Sequence, residues 1–312
     1  MQRLIHSFAV FVILFSLVAN STPAFAQTKI KNLSEYTTNQ RVFLPMGCRG
    51  LGLNGHVHPE VGEDVNAIGN RSFVENYDMS ESISRSDTFD IVHYALDLDL
   101  THYGLQQMRA KALITMSVIE SGAEDIWFDL VSLTVDSVNI DGASSVFVHE
   151  NGRLIIPSPN IVFQSGDAHE IEVFYGGHPE QDPSWGGVYF TSGYIYHMGI
   201  GLTSIPPNYG KVWHPCFDNF VERATYSWNI RSADGMEAHL QGTCLGETFE
   251  EGDTLTRSFI LEHPITTHQD AFAVSTYVDS NFVHTGEYGD IPVRLTAKSE
   301  DINLMSNKFI DI

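Results

Sequence analysis

From residue 87 to residue 278 the chain repeats one motif: a short run of alternating apolar and polar residues, closed by a turn signal. Residues two apart share a strand face, so each run can bury one face and leave the other wet. Val92, Tyr94, Leu96, Leu98 and Leu100 alternate with His93, Ala95, Asp97 and Asp99. Ala112, Ile114, Met116 and Val118 alternate against Lys111, Thr115 and Ser117. Together they predict an antiparallel pair joined through the polar stretch from His102 to Gln107. Ile126, Phe128 and Leu130 alternate next, and residues 135–140 end at the turn pair Asp141-Gly142. Val146 and Val148 lead to Asn151-Gly152, the strongest short hairpin signal in the chain; residues 154–156 return from it and Pro157 stops them. Ile171, Val173 and Tyr175 precede the breaker Gly176-Gly177, and further runs lie at 226–230, 255–261 and 271–278. No helical stripe of useful length occurs before residue 300, and only residues 301–312 can start a helix. The expected fold class is therefore all-β, an antiparallel β-sandwich or an open barrel.

The N-terminal residues read differently. Arg3, an apolar run over residues 8–18, then Pro23 before Ala24-Phe25-Ala26 and Gln27 follow the layout of a secretory signal peptide over residues 1–26. The run is too short to span about 30 Å of hydrocarbon, so no membrane span is expected after cleavage. Met46-Gly47-Cys48 makes a poor lipobox, with Pro45 before it and the apolar run far upstream. The expected location is exported, periplasmic or extracellular. Residues 27–85 are glycine-spotted (Gly47, Gly50, Gly52, Gly55, Gly62, Gly69) and predict an irregular lead-in. With 17 basic against 39 acidic side chains, the net charge of -22 repels phosphate backbones, so no nucleic-acid partner is expected. Three cysteines leave one over and cannot form a disulfide scaffold.

Familiar catalytic motifs fail on inspection. Gly199-Ile200-Gly201 lacks the third glycine, where Ser204 stands, and Pro206-Pro207 blocks the helix a dinucleotide needs. No G-x-S-x-G elbow occurs. His149-Glu150 and His169-Glu170 begin like H-E-x-x-H, but Arg153 and Val173 occupy the second histidine position. His56, His58 and Glu60, two apart in an extended segment, could face one ion, yet a solvated loop is the simpler reading. Asp97 and Asp99 read as solvated strand-face acids rather than a glycosidase pair. The stretch from Gly186 to Trp228 is dense in rings, among them Tyr189, Tyr196, Tyr209, Trp213 and Phe217, and reads chiefly as core.

That stretch also resembles a family. Pro215-Cys216-Phe217-Asp218 with Arg223-Ala224-Thr225-Tyr226 is similar to the P-C-x-D…K/R-A-T/S-F/Y signature that closes the N-terminal β domain of aminopeptidase N-type zinc peptidases. Residues 90–99 (DIVHYALDLD) resemble that domain's opening strand, Gly187-Val188-Tyr189-Phe190 its G-l-Y-x-S segment, and Ser275-Thr276-Tyr277-Val278 its s-T-Y-L/V strand. Gly289-Asp290-Ile291-Pro292-Val293-Arg294 resembles the lead into the catalytic domain. The five pieces fall in the family's order. The resemblance implies a saddle-like β-sandwich over residues 86–285, the start of a truncated peptidase domain over 286–312, and in a complete relative a zinc cofactor and peptide substrates.

Departures limit what carries over. Neither the Gly-Ala-Met-Glu-Asn loop nor H-E-x-x-H occurs, so no catalytic, cofactor-binding or metal residue is expected in this chain. The family's Gln or Glu about ten residues before the motif cysteine has no counterpart: Pro206 stands there, beside Ser204 and Asn208. The function expected is the N-terminal portion of an exported zinc aminopeptidase, inactive alone; the alternative is a non-catalytic binding module at the cell surface. For the cysteines, Cys216 with Cys244 is the easiest disulfide to imagine, whereas the resemblance implies a buried, reduced Cys216 packed against Trp213 or Phe217.

Overall fold

The computed structural model describes residues 79–157, 161–191, 193–250, 252–287 and 289–309. Helix α1 (Met79–Thr88) opens them. The strands are β1 (Phe89–Asp99), β2 (Met108–Val118), β3 (Asp125–Asp129), β4 (Thr134–Ile140), β5 (Ala143–Ser145), β6 (Val148–Glu150), β7 (Arg153–Pro157) and β8 (Ala168–Gly177). There follow β9 (Gly186–Thr191), β10 (Tyr194–Gly201), β11 (Ala224–Ser232), β12 (Glu237–Leu240), β13 (Thr243–Glu250), β14 (Thr254–Ile265), β15 (Phe272–Ser275), β16 (Tyr277–Gly286) and β17 (Gly289–Lys298). Helix α2 (Ile302–Phe309) comes last.

The domain is all-β and sandwich-like. Its large sheet runs β13-β14-β11-β1-β2-β8-β4-β5, and β12-β15-β10-β9 and β3-β7-β6 form smaller sheets. Tyr94 and Leu96 of β1, Ile114 of β2, Val173 of β8 and Trp228 of β11 meet Ile195 of β10, Ala238 of β12 and Phe272 of β15 in one buried core. Fully burying a side chain of this kind contributes about 1.5–3 kcal/mol, which makes this face the main source of stability. The β16–β17 pair forms a separate ribbon.

The predicted β1–β2 pair forms in antiparallel register, from Phe89 opposite Val118 to Asp99 opposite Arg109. Both expected turns take left-handed backbone, Asp141 and Gly142 at φ 50° and 77°, Asn151 and Gly152 at 52° and 72°. That is the twist-matched two-residue hairpin.

Four features depart from expectation. Val92 is exposed: the register shifts between Ile91 and His93, so Ile91 and Tyr94 both face inward and the residue between them is turned out. Gly176-Gly177 do not end β8 early but lie within it, and a Cβ on Gly176 would sit 2.7 Å from the Met108 carbonyl oxygen. The large sheet is antiparallel except at its centre, where β1 and β11 run parallel. Finally, α1 was unforeseen. Its sequence MSESISRSDT carries no apolar stripe, and the side it buries is polar, with Ser82 and Arg85 almost inaccessible. Among the described residues, no helix is long and apolar enough to cross a membrane.

Candidate functional site

Between β10 and β11 the chain abandons alternation, and proline and glycine hold it in irregular backbone. A 3-10 turn at Gly210–Val212, buried throughout, starts the segment that carries Pro215-Cys216-Phe217-Asp218. Backbone bonds tie it to the end of β3: Asp129 N–H to the Cys216 carbonyl at 2.8 Å and Cys216 N–H to the Asp129 carbonyl at 3.1 Å. Phe217 N–H donates to Tyr94 Oη at 3.1 Å, linking the segment to β1.

Under these backbone bonds lies a buried network of charge. Arg85 of α1 pairs with Asp129, whose Oδ2 also accepts the Asp218 N–H at 2.9 Å. Asp218 Oδ2 lies 3.1 Å from Lys211 Nζ, and both side chains are essentially inaccessible. Thr267 Oγ1 donates to Asp218 Oδ1 at 2.5 Å, Lys211 Nζ to the Asn208 carbonyl at 2.6 Å, and Asn208 Nδ2 to the Asp218 carbonyl at 2.5 Å. Burial alone would raise the Asp218 pKa; the Lys211 ammonium and the Thr267 hydroxyl outweigh it and hold the carboxyl below its ordinary range. Glycine is required at 210, since a Cβ there would meet Thr267 Cβ at 2.8 Å.

A second carboxylate fixes the approach. Asp182 accepts N–H bonds from Ser184, Trp185 and Thr203 and hydroxyl bonds from Thr203 and Ser204. Burial opposes its ionisation, but these donors pull the pKa down to about 2. The same stretch of chain leaves an apolar rim at the surface. Ile200, Leu202, Ile205, Phe220 and Val221 are exposed. Phe220 lies edge-on to His268 at 5.3 Å, and Gly199 packs so closely on the His268 carbonyl that a Cβ would sit 1.9 Å from its oxygen. Strand β10 at Gly199, the segment at Phe220 and the turn at His268 thus meet at one place.

Glu222 completes the segment by accepting the Ile91 N–H at 2.8 Å. Burial raises its pKa from 4.5 to about 7, against the opposing bonds from Ser86 and Ile91. Its contribution to stability is therefore full below about pH 4.5 and is lost as the pH rises through 7. Glu222→Gln, which keeps the acceptor and removes the titration, is expected to gain on the native protein by on the order of 2 kcal/mol between pH 5 and pH 8. Urea unfolding of both proteins at the two pH values measures this; an unchanged difference would refute the assignment.

This arrangement positions chain. Cys216 is buried and unpaired with Cys244, and burial pushes its thiol well up, which makes it inert. The Cys216–Cys244 disulfide is thereby excluded. No group of three metal-ligating side chains occurs among the described residues. One His149 ring nitrogen lies 2.9 Å from the Leu130 carbonyl, and His169 pairs with Asp141 at 2.7 Å. Asp97 pairs with Lys111 at 3.0 Å and Asp99 with Arg231 at 2.9 Å. Gly199 and Gly201 lie in β10, not in a phosphate loop. Ser204 donates to Asp182, and the Asn208 amide nitrogen donates to the Asp218 carbonyl. His56, His58, Glu60 and Cys48 lie outside the described residues. Of the ring-dense stretch, Tyr209, Trp213 and Phe217 are core, while Tyr189 and Tyr196 are half-buried and stack at 5.0 Å. Sequence reasoning missed Arg85, Asp129 and Lys211. A lone lysine between Gly210 and Val212 was the available sign that a buried acid waited nearby.

No family model and no curated protein matches the chain. Solved structures do. An M1 zinc metallopeptidase from Deinococcus radiodurans, a mutant bound to a Tyr-Ser-Ala substrate, matches with a TM-score of 0.61 and 18% identity over 68% of this chain and 48% of its own. A two-domain M1 zinc metallopeptidase mutant bound to L-arginine gives the same values. The M1 zinc metallopeptidase from Deinococcus radiodurans without a named ligand matches with a TM-score of 0.59 and 19% identity over 68% and 48%. At this identity the likeness is one of fold, and the chain spans about half the length of those structures.

Proposed function

We propose that this chain is the N-terminal part of an exported, zinc-dependent aminopeptidase, and that its β domain forms one wall of the peptide cleft. The observation that carries the reading is the motif segment itself. Two buried ion pairs fix the chain around Pro215-Cys216-Phe217-Asp218, in the same stretch that leaves apolar side chains exposed at the surface. The motif order and the fold likeness support the same assignment, and the layout of residues 1–26 supports export.

The described residues do not fit a zinc ion. His197, buried near the motif, has both ring nitrogens at 3.0 Å from backbone carbonyls, of Asp270 and Tyr209. No chemical step is therefore assigned to this chain. Its part is to orient a peptide against a rigid wall and to shut out water, effects that act through position. The alternative, a non-catalytic binding module at the cell surface, uses the same rim without a zinc-bearing neighbour.

The purified chain is expected to release no arylamine from amino-acid arylamides, with or without added zinc, because a catalytic zinc needs three protein ligands and an activated water. Zinc-dependent, chelator-sensitive turnover by this chain alone would overturn the assignment.

A further inference from the structure

The outer face of the large sheet carries a histidine that the candidate site does not use. Tyr94 and Leu96 of β1 belong to the core, so His93 lies on the opposite face. β1 and β11 run parallel with His93 opposite Thr225 and Ala95 opposite Ser227, which brings one imidazole beside two hydroxyls. His93 Nδ1 lies 2.8 Å from Thr225 Oγ1, and Nε2 lies 2.9 Å from Ser227 Oγ. All three side chains are half-buried, within reach of solvent.

The far end of this chain of contacts fixes its hydrogens. The Val92 carbonyl can only accept, and Thr225 Oγ1 donates to it at 2.9 Å. With its one hydrogen spent, Thr225 Oγ1 accepts from His93 Nδ1–H. A neutral imidazole carries a single N–H, so Nε2 keeps a bare lone pair and accepts the Ser227 hydroxyl. Burial lowers the His93 pKa, which keeps the ring neutral at pH 7. A hydroxyl bonded to a neutral imidazole, whose other nitrogen is held by a third group, is the arrangement that activates a serine nucleophile. β1 and β11 are interior strands whose N–H groups serve the ladders on either side, so they offer no preformed donors to an oxyanion. The pair therefore suits acyl groups with a good leaving group.

We propose that Ser227 is an acylation site, with His93 as its general base and activated acyl esters as its substrate class. Ser227 Oγ bonds to the acyl carbon while its proton passes to His93 Nε2. The ester C–O bond breaks, its electron pair leaves on the departing oxygen, and that oxygen recovers the proton from His93. The products are acyl-Ser227 and the free alcohol or phenol. Amides, with their poorer leaving group, fall outside this class. The step is separate from peptide hydrolysis, for which this chain supplies no zinc ligands among the described residues.

The native full chain provides its own control. Ser258 of β14 is also half-buried and pairs opposite Asn229, but its hydroxyl donates to Asn229 Oδ1 and not to an imidazole. With p-nitrophenyl acetate at neutral pH, peptide mass spectrometry should find the acetyl group on Ser227. Ser258 should acylate at least about 100-fold more slowly, the lower end of what a positioned general base contributes. Ser227→Ala should lose the label, and His93→Gln should slow it by the same factor. Nitrogen NMR of the native His93 ring should place its hydrogen on Nδ1. Acetylation of native Ser227 no faster than that of Ser258, or a neutral His93 ring with its hydrogen on Nε2, would overturn the proposal even if neither variant folds.

Discussion

Asp218→Ala is expected to destabilise the protein by about 3–5 kcal/mol, the cost of leaving a buried charge without its partner. Lys211 Nζ would lose the carboxylate it faces at 3.1 Å, and Thr267 Oγ1 would lose the acceptor it holds at 2.5 Å. Removing both charges at once relieves much of the penalty, because neither then has to be desolvated. The double variant Lys211→Met with Asp218→Leu should consequently lose less than Asp218→Ala alone. Urea midpoints of the three proteins, read by tryptophan fluorescence, test this. Equal losses for the single and double variants would show that the pair matters only as packing.

A chain trimmed to begin at Asp87 should be less stable than one beginning at Met79 by a similar amount, about 3–5 kcal/mol. The trimmed chain lacks Arg85, so Asp129 keeps its buried position and the Asp218 N–H but loses its cation. It also loses the Arg85 guanidinium from the faces of Trp127 and Phe217, 3.7 and 4.2 Å away, and the bond from Arg85 to the Trp127 carbonyl at 3.0 Å. Thermal unfolding of the two chains reads the difference. Indistinguishable transitions would mean that α1 rests on the domain without contributing to it.

The strands were legible because burial leaves a period of two, and Ala112 to Val118 shows it without a break. Strand direction leaves no such trace. β1 and β11 each read as an ordinary half-buried strand, and nothing in either composition says that they pair in parallel. The displaced Val92 was invisible for a related reason: a local register shift adds a residue without changing the kinds of residues on either side. Helix α1 escaped because it docks by Ser82 and Arg85 rather than by leucines, so apolar periodicity had nothing to register. At the candidate site, family resemblance picked out Cys216 and Asp218. Their partners come from distant stretches, Arg85 from the lead-in and Asp129 from β3, and long-range ion pairing leaves no local spacing to read.

The central claim, that this β domain is one wall of a metallopeptidase cleft, is tested most directly by reading the gene beyond codon 312. The account predicts that a Gly-Ala-Met-Glu-Asn segment, H-E-x-x-H and a later glutamate follow, in frame or after a frameshift. A downstream sequence with none of these in any frame would contradict it and leave the rim to a non-catalytic binding module.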